Sequence, residues 1–240
     1  MAMLQVIDFG KRFTIHHLGK TRQTVEHIHF SLEQGEFLGV VGKSGSGKST
    51  ILKSIYRTYC PDTGSIIYDS ARYGLIDLTH ATEREILYLR KHEIGYVSQF
   101  LNVMPRTTSR ELVEKALLEM GATEADAKLE AEKALTHFEL DQKLWDNYPN
   151  TFSGGEKLRL NIAMATVKKP RLLLLDEPTA SLDQQSKIKV REIIEKLKAS
   201  GTTLVGIFHD IEFMDGLCDH VFDMQFRSDK AVKEGVIHES

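Results

Sequence analysis

GVVGKSGSGKST, residues 39–50, decides the fold. Gly42 to Ser49 fits the pattern G-x-x-x-x-G-K-[ST], and it lies between a short apolar run, EFLGVV at 36–41, and a helical stretch, STILKSIYRTY at 49–59. Glycines let a backbone curl with its N–H groups pointing inward, and a helix N-terminus adds partial positive charge. Gly42, Lys43, Ser44, Gly45, Ser46 and Gly47 therefore read as a phosphate cradle, which Thr50 completes. Lys48 is expected to reach the β- and γ-phosphates, and Ser49 to hold Mg²⁺.

A second apolar run supports this reading. RLLLLDEP, residues 171–178, predicts a buried strand that delivers Asp176 to its C-terminal end. That is the edge of a parallel sheet where ligands bind. Asp176 is expected to serve Mg²⁺, and Glu177 to act as general base on an attacking water. Two further strands, EIGYVSQ and TLVGIFH, are expected to end in Gln99 and His209 on the same edge. Helical patterns between these apolar strands predict an α/β fold with a parallel sheet covered on both faces.

Between them the pattern turns helical. Thr108 and Glu111 make a capping box ahead of the stripe Leu112, Val113, Ala116, Leu117 and Met120, which Gly121 closes. Thr123–Phe138 predicts a second helix. The expected division is a nucleotide-binding core of residues 1–99 and 169–240 and a helical lobe of residues 100–168, all within one domain spanning 1–240. Within the lobe, Ser153 and Glu156 form another capping box, but Gly154 and Gly155 weaken the helix they open. Glycines bare the N–H groups of that first turn, which suits a second anion.

The bulk composition narrows the partners. At 240 residues, 41% hydrophobic and 27% charged, with net charge −3, the chain is an ordinary globular one without the excess of basic residues that a broad nucleic-acid surface needs. Cys60 and Cys218 give no disulfide framework and no metal spacing. No apolar run approaches the roughly 20 residues of a membrane span. The chain is expected to be cytoplasmic, and if it serves a membrane another chain does the crossing.

Taken together the motifs closely resemble those of the ATP-binding cassette (ABC) ATPases, in family order: GKSGSGKST, a Q-loop in YVSQF, the signature FSGGE, LLLLDEP, a D-loop SLD at 181–183, and a switch histidine in IFHD. The resemblance implies a P-loop NTPase with a mostly parallel core sheet, an antiparallel β subdomain and an inserted α-helical subdomain. It implies ATP and Mg²⁺, with Ser49, Gln99 and Asp176 around the metal, Glu177 and His209 in catalysis, and Phe13 stacked on adenine. It also implies a head-to-tail dimer with a like or related cassette. Ser153, Gly154, Gly155 and Glu156 of each chain then meet the γ-phosphate held by the other, with Asp183 at the interface. Two positions depart from the common pattern, Met164 in place of an arginine and Phe152 in place of a leucine.

A narrower resemblance, carried by VSQFL followed by Pro105-Arg106 and by VGIFHD, is to the L-subunit ATPases of carbon–phosphorus lyase systems. It implies an ATPase that helps partner subunits form alpha-D-ribose 1-methylphosphonate 5-triphosphate from phosphonate and ATP. The alternative is the ATPase of a lipoprotein-release or macrolide-export transporter. In either case FLNVMPRTT, residues 100–108, is expected to meet the partner through Val103, Met104 and Arg106.

Overall fold

The computed structural model describes residues 2–15, 20–101, 105–180 and 182–224. The chain opens with two long antiparallel strands, β1 (Leu4–Ile15) and β2 (Lys20–Leu32), followed by β3 (Phe37–Val41) and helix α1 (Lys48–Ile55). Strands β4 (Thr63–Ser70) and β5 (Gly74–Asp77) return to the first sheet, whose order is β2-β1-β4-β5 with antiparallel neighbours. After α2 (Glu83–His92) come β6 (Ile94–Val97) and the helices α3 (Ser109–Glu119), α4 (Glu124–His137) and α5 (Gly154–Thr166). The chain then alternates through β7 (Leu172–Asp176), α6 (Gln184–Ala199), β8 (Thr203–Ile207), α7 (Ile211–Met214) and β9 (His220–Asp223). The second sheet has the order β6-β7-β8-β3-β9, and every neighbouring pair in it is parallel.

The parallel sheet lies between two apolar layers. Leu172 and Leu174 of β7 pack with the antiparallel sheet and α1, while Leu173 and Leu175 pack with the helices, and all four are fully buried. β8 divides the same way, Val205 and Ile207 to one layer and Leu204 to the other. Covering on both faces is why these strands read as unbroken apolar runs. The helical layer takes in Leu112, Val113, Leu135, Trp145, Phe152 and Leu158, so α3–α5 share one core with the sheet. Met164 packs partly buried against that core, and Phe152 is buried within it.

Three local expectations change. The helix after the phosphate loop stops at Ile55, four residues short of Tyr59, because the chain turns at Arg57 with a left-handed φ of 65°. β6 and β8 end at Val97 and Ile207, so Gln99 and His209 stand two residues beyond the strands. β9 has no counterpart among the predicted elements. It carries His220 and Asp223 and forms by pairing with β3, beside which the Asp219 carboxylate accepts the Phe37 N–H at 2.8 Å.

One buried carboxylate ties the sheets together. Glu93, 4% exposed, accepts the Ser70 hydroxyl at 2.9 Å and the Ala71 N–H at 3.1 Å. Arg171 lies 3.7 Å from the same carboxylate and donates to the Asp69 carbonyl at 2.6 Å. Residues at the end of β4 and at the start of β7 thus share one polar cluster. Glu93→Ala leaves buried donors without acceptors and should cost about 2–4 kcal/mol. Urea unfolding should register this as a lower midpoint at unchanged slope. A loss below about 0.5 kcal/mol, the range of ordinary surface changes, would mean the cluster does not hold the sheets together.

Candidate nucleotide site

Helix α1 differs from the other helices at its start. Thr82, Thr108, Thr123, Ser153, Asp183 and Asp210 each cap α2–α7 with a side-chain oxygen. α1 has no side-chain cap and no acidic residue in its first turn, and its N-cap is Gly47 with φ 97°. Gly45 is also left-handed, at φ 77°, so the loop bends where only glycine does so without strain. First-turn N–H groups without a cap are an anion site. Within the loop the Ser46 hydroxyl is buried without a hydrogen-bond partner, and Lys48, 4% exposed, donates to the carbonyls of Gly42 at 2.8 Å and Lys43 at 3.1 Å. Burial holds the Lys48 ammonium below its ordinary pKa, against the opposing charge of Glu177. A phosphate chain fits the unpartnered Ser46 hydroxyl and the uncapped first turn, with the Lys48 ammonium beside them.

Strand register brings the other groups to the same edge. Asp176 pairs with Ile207, Ile207 with Val40 and Leu175 with Val97, so the ends of β3, β6, β7 and β8 lie level. Asp176, 6% exposed, accepts the Ser49 hydroxyl on Oδ1 at 2.8 Å and the Tyr96 hydroxyl on Oδ2 at 2.6 Å. Burial, and then the Asp176 carboxylate, raise the Tyr96 pKa, which keeps it a donor. A carboxylate beside a hydroxyl is a hard-oxygen donor set. That suits Mg²⁺, which binds through one or two carboxylates together with substrate phosphates and water.

Glu177 follows Asp176 with a left-handed φ of 51°, strained for a residue with a side chain. Its Oε1 lies 2.8 Å from His209 Nε2. The pair lines an open cleft with Thr179, Lys187 and Asp210. Lys187 and Asp210 are ion-paired at 2.6 Å, and Asp210 caps α7 next to His209.

The signature turn is a complete capping box. Ser153 Oγ accepts the Glu156 N–H at 3.3 Å, and Glu156 Oε2 accepts the Ser153 N–H at 2.8 Å. Ser153 and Gly154 are exposed, and none of these hydrogen bonds reaches residues 42–50. Gly155 is buried for a separate reason. A Cβ there would stand 2.6 Å from Ser186 Oγ, in the first turn of α6. Asp183 caps that turn, and its bonds from the Ser186 N–H and hydroxyl hold its carboxyl below the usual range. Close packing between α5 and α6 thus favours a residue without a side chain at 155.

The remaining residues are more dispersed. Phe13 is half-buried on β1, with Tyr59 edge-on at 5.2 Å between ring centroids. Gln99 is exposed, and no hydrogen bond among the described residues joins it to Ser49 or Asp176. Of the expected partner segment, Phe100 is 66% exposed while Leu101 packs against the helical core. Val103, Met104 and the D-loop Ser181 lie outside the described residues. Sequence reasoning missed Tyr96 and Tyr59. Their sequence neighbours give no sign of either role, since the partners lie far away in the chain.

Similarity to known proteins agrees with this site. The family described as ABC transporter matches residues 25–180. The macrolide export ATP-binding/permease protein MacB of Campylobacter jejuni is 35% identical over 186 residues, 78% of this chain and 28% of that protein. The chain therefore spans little more than a quarter of that relative's length. The lipoprotein-releasing system ATP-binding protein LolD of Aquifex aeolicus is 33% identical over 193 residues, 80% of this chain and 84% of that one. A dimeric post-hydrolysis structure of the ATP-binding cassette MJ0796 bound to ADP and Pi superposes with a TM-score of 0.86 at 25% identity, over 97% of this chain and 100% of that one. With the family match running through the phosphate loop, the signature turn and the Asp176-Glu177 strand end, the chain belongs to the ABC transporter family.

Proposed function

We propose that the chain is the ATP-hydrolysing cassette of a transporter, of the kind that serves macrolide export or lipoprotein release, and that it works as a cytoplasmic dimer. The observation that carries hydrolysis is the Glu177–His209 pair standing beside an uncapped phosphate loop. The substrate is ATP with Mg²⁺. When bound, Mg²⁺ neutralises phosphate charge and aligns the phosphates. Gly42–Thr50 wraps the phosphates, and Lys48 exchanges its loop carbonyls for phosphate oxygens. Ser49 and Asp176 supply oxygen donors, and Gln99 joins them from its place beyond β6. Glu177 accepts the proton of the attacking water as its oxygen bonds to the γ-phosphorus and the bond to the bridging oxygen breaks. His209 orients Glu177 and steadies the γ-phosphate. Phe13 stacks on adenine, with Tyr59 alongside.

Ser153, Gly154, Gly155 and Glu156 serve the phosphate of the second cassette, with Asp183 at the shared surface. Residues 1–99 and 169–240 act as the nucleotide core. Residues 100–168 act as the lobe that meets the driven protein, through Arg106 and neighbouring residues. The relatives named for export and lipoprotein release support the transporter reading over the phosphonate one. A second reading, the L-subunit role in carbon–phosphorus lyase chemistry, is favoured by VSQFL with Pro105-Arg106 and by VGIFHD. Among the described residues no helix is long and apolar enough to cross a membrane.

Purifying the native protein with and without detergent separates the two readings. The transporter reading expects a membrane protein in the detergent extract, identified by mass spectrometry. Recovery with soluble phosphonate-processing subunits would overturn it. Glu177→Gln should lower steady-state hydrolysis by about 10²–10⁴ while ATP binding persists. Activity equal to the parent would remove Glu177 from the role of base. In the Glu177→Gln background ATP should drive dimerisation, measured by light scattering, and Gly154→Asp should prevent it. Gly154 is exposed at the first position of α5, so the change tests the surface and not the core. Dimerisation that survives it would reduce the turn to a helix cap.

A further inference from the structure

We propose that Tyr96 is a positioning residue for Asp176, holding its carboxylate in the orientation that receives a divalent cation. This rests on the reading of Asp176 as the metal-site carboxylate. The two oxygens of Asp176 are held separately, Oδ1 by Ser49 at 2.8 Å and Oδ2 by Tyr96 at 2.6 Å. The two holds are not equivalent. Ser49 is itself a metal-site hydroxyl, so its grip on Oδ1 lapses when it turns to a cation. Tyr96 has no such second duty, and among the described residues its hydroxyl is then the side-chain donor still fixing the carboxylate. A donor on the far oxygen leaves the near one free and keeps the side chain from rotating away. Its bond to a charged acceptor is of the short, strong kind.

Tyr96 is itself braced. It sits in β6, paired with Leu174 of β7 two residues before Asp176. Its ring lies 5.0 Å from that of Tyr56. Arg90 of α2 holds Tyr56 twice, with its guanidinium 4.7 Å from the ring centroid and its Nε donating to the Tyr56 carbonyl at 2.8 Å. The line Arg90–Tyr56–Tyr96 therefore runs from α2 to the carboxylate. Phenylalanine at 96 keeps the ring contacts and loses only the hydroxyl, so the position is a clean probe of that one hydrogen bond.

The test uses the full chain with Mn²⁺ as probe and a non-hydrolysable ATP analogue, with free Mn²⁺ read by electron paramagnetic resonance. Tyr96→Phe should weaken Mn²⁺ binding about 10-fold, the usual effect of removing a partner that orients a metal ligand. Affinity for the analogue in EDTA should stay at the parent value, and hydrolysis should recover as Mg²⁺ is raised. Parent-like Mn²⁺ affinity in Tyr96→Phe overturns the proposal. So does an equal loss of analogue affinity in EDTA, which would mark a structural role. Asp176→Asn separates the two levels of inference. If it too binds Mn²⁺ like the parent, the reading of Asp176 fails. If it loses Mn²⁺ while Tyr96→Phe does not, only the positioning role fails.

Discussion

The site depends on a strand with no free face. Leu172–Leu175 of β7 are fully buried, alternating between the two apolar layers, and the backbone pairs with β6 on one side and β8 on the other. A one-residue slip would exchange every leucine between layers that are shaped differently. Asp176 is the last residue of that strand, so its backbone is placed as firmly as any in the molecule. The carboxylate then needs only short contacts, from Ser49 and Tyr96, to be fixed in direction.

Around that fixed point the chain leaves selected groups unsatisfied. Among the described residues the α-helices α2–α7 begin with a side-chain cap and α1 does not. The exception lies where Lys48, Ser49 and the unpartnered Ser46 hydroxyl converge. Glu177 accepts backbone strain at φ 51° directly after a strand buried along its whole length, beside His209. Unmatched donors and local strain are tolerated because the surrounding core over-determines the backbone.

The signature turn follows a different logic. Its capping box is satisfied within itself, and Ser153 and Gly154 face outward. Gly155 lets α5 approach Ser186 at the start of α6, where Asp183 supplies the cap. The first turns of α5 and α6 are thus seated on each other, and α6 continues to Lys187 and its ion pair with Asp210, next to His209. A single helix end connects the outward-facing turn with the cleft of Glu177.

The sequence by itself determined the features that act over short spans. The phosphate loop, the buried leucine strand and the capping boxes Thr108–Glu111 and Ser153–Glu156 depend on residues a few positions apart, and their chemistry is written in that spacing. The short strand β9 was not legible, because its pairing with β3, and not its own pattern, makes it a strand. The exposed place of Gln99 and the early stop of α1 turn on where neighbouring strands and loops end. Only the tertiary structure decided that Tyr96 meets Asp176 across 80 residues of chain, that Gly155 packs closely against Ser186, and that Glu93 holds two sheets together. Hydrogen bonds and close packing act over a few ångströms, so between residues distant in the chain they exist only once the fold has brought the partners together.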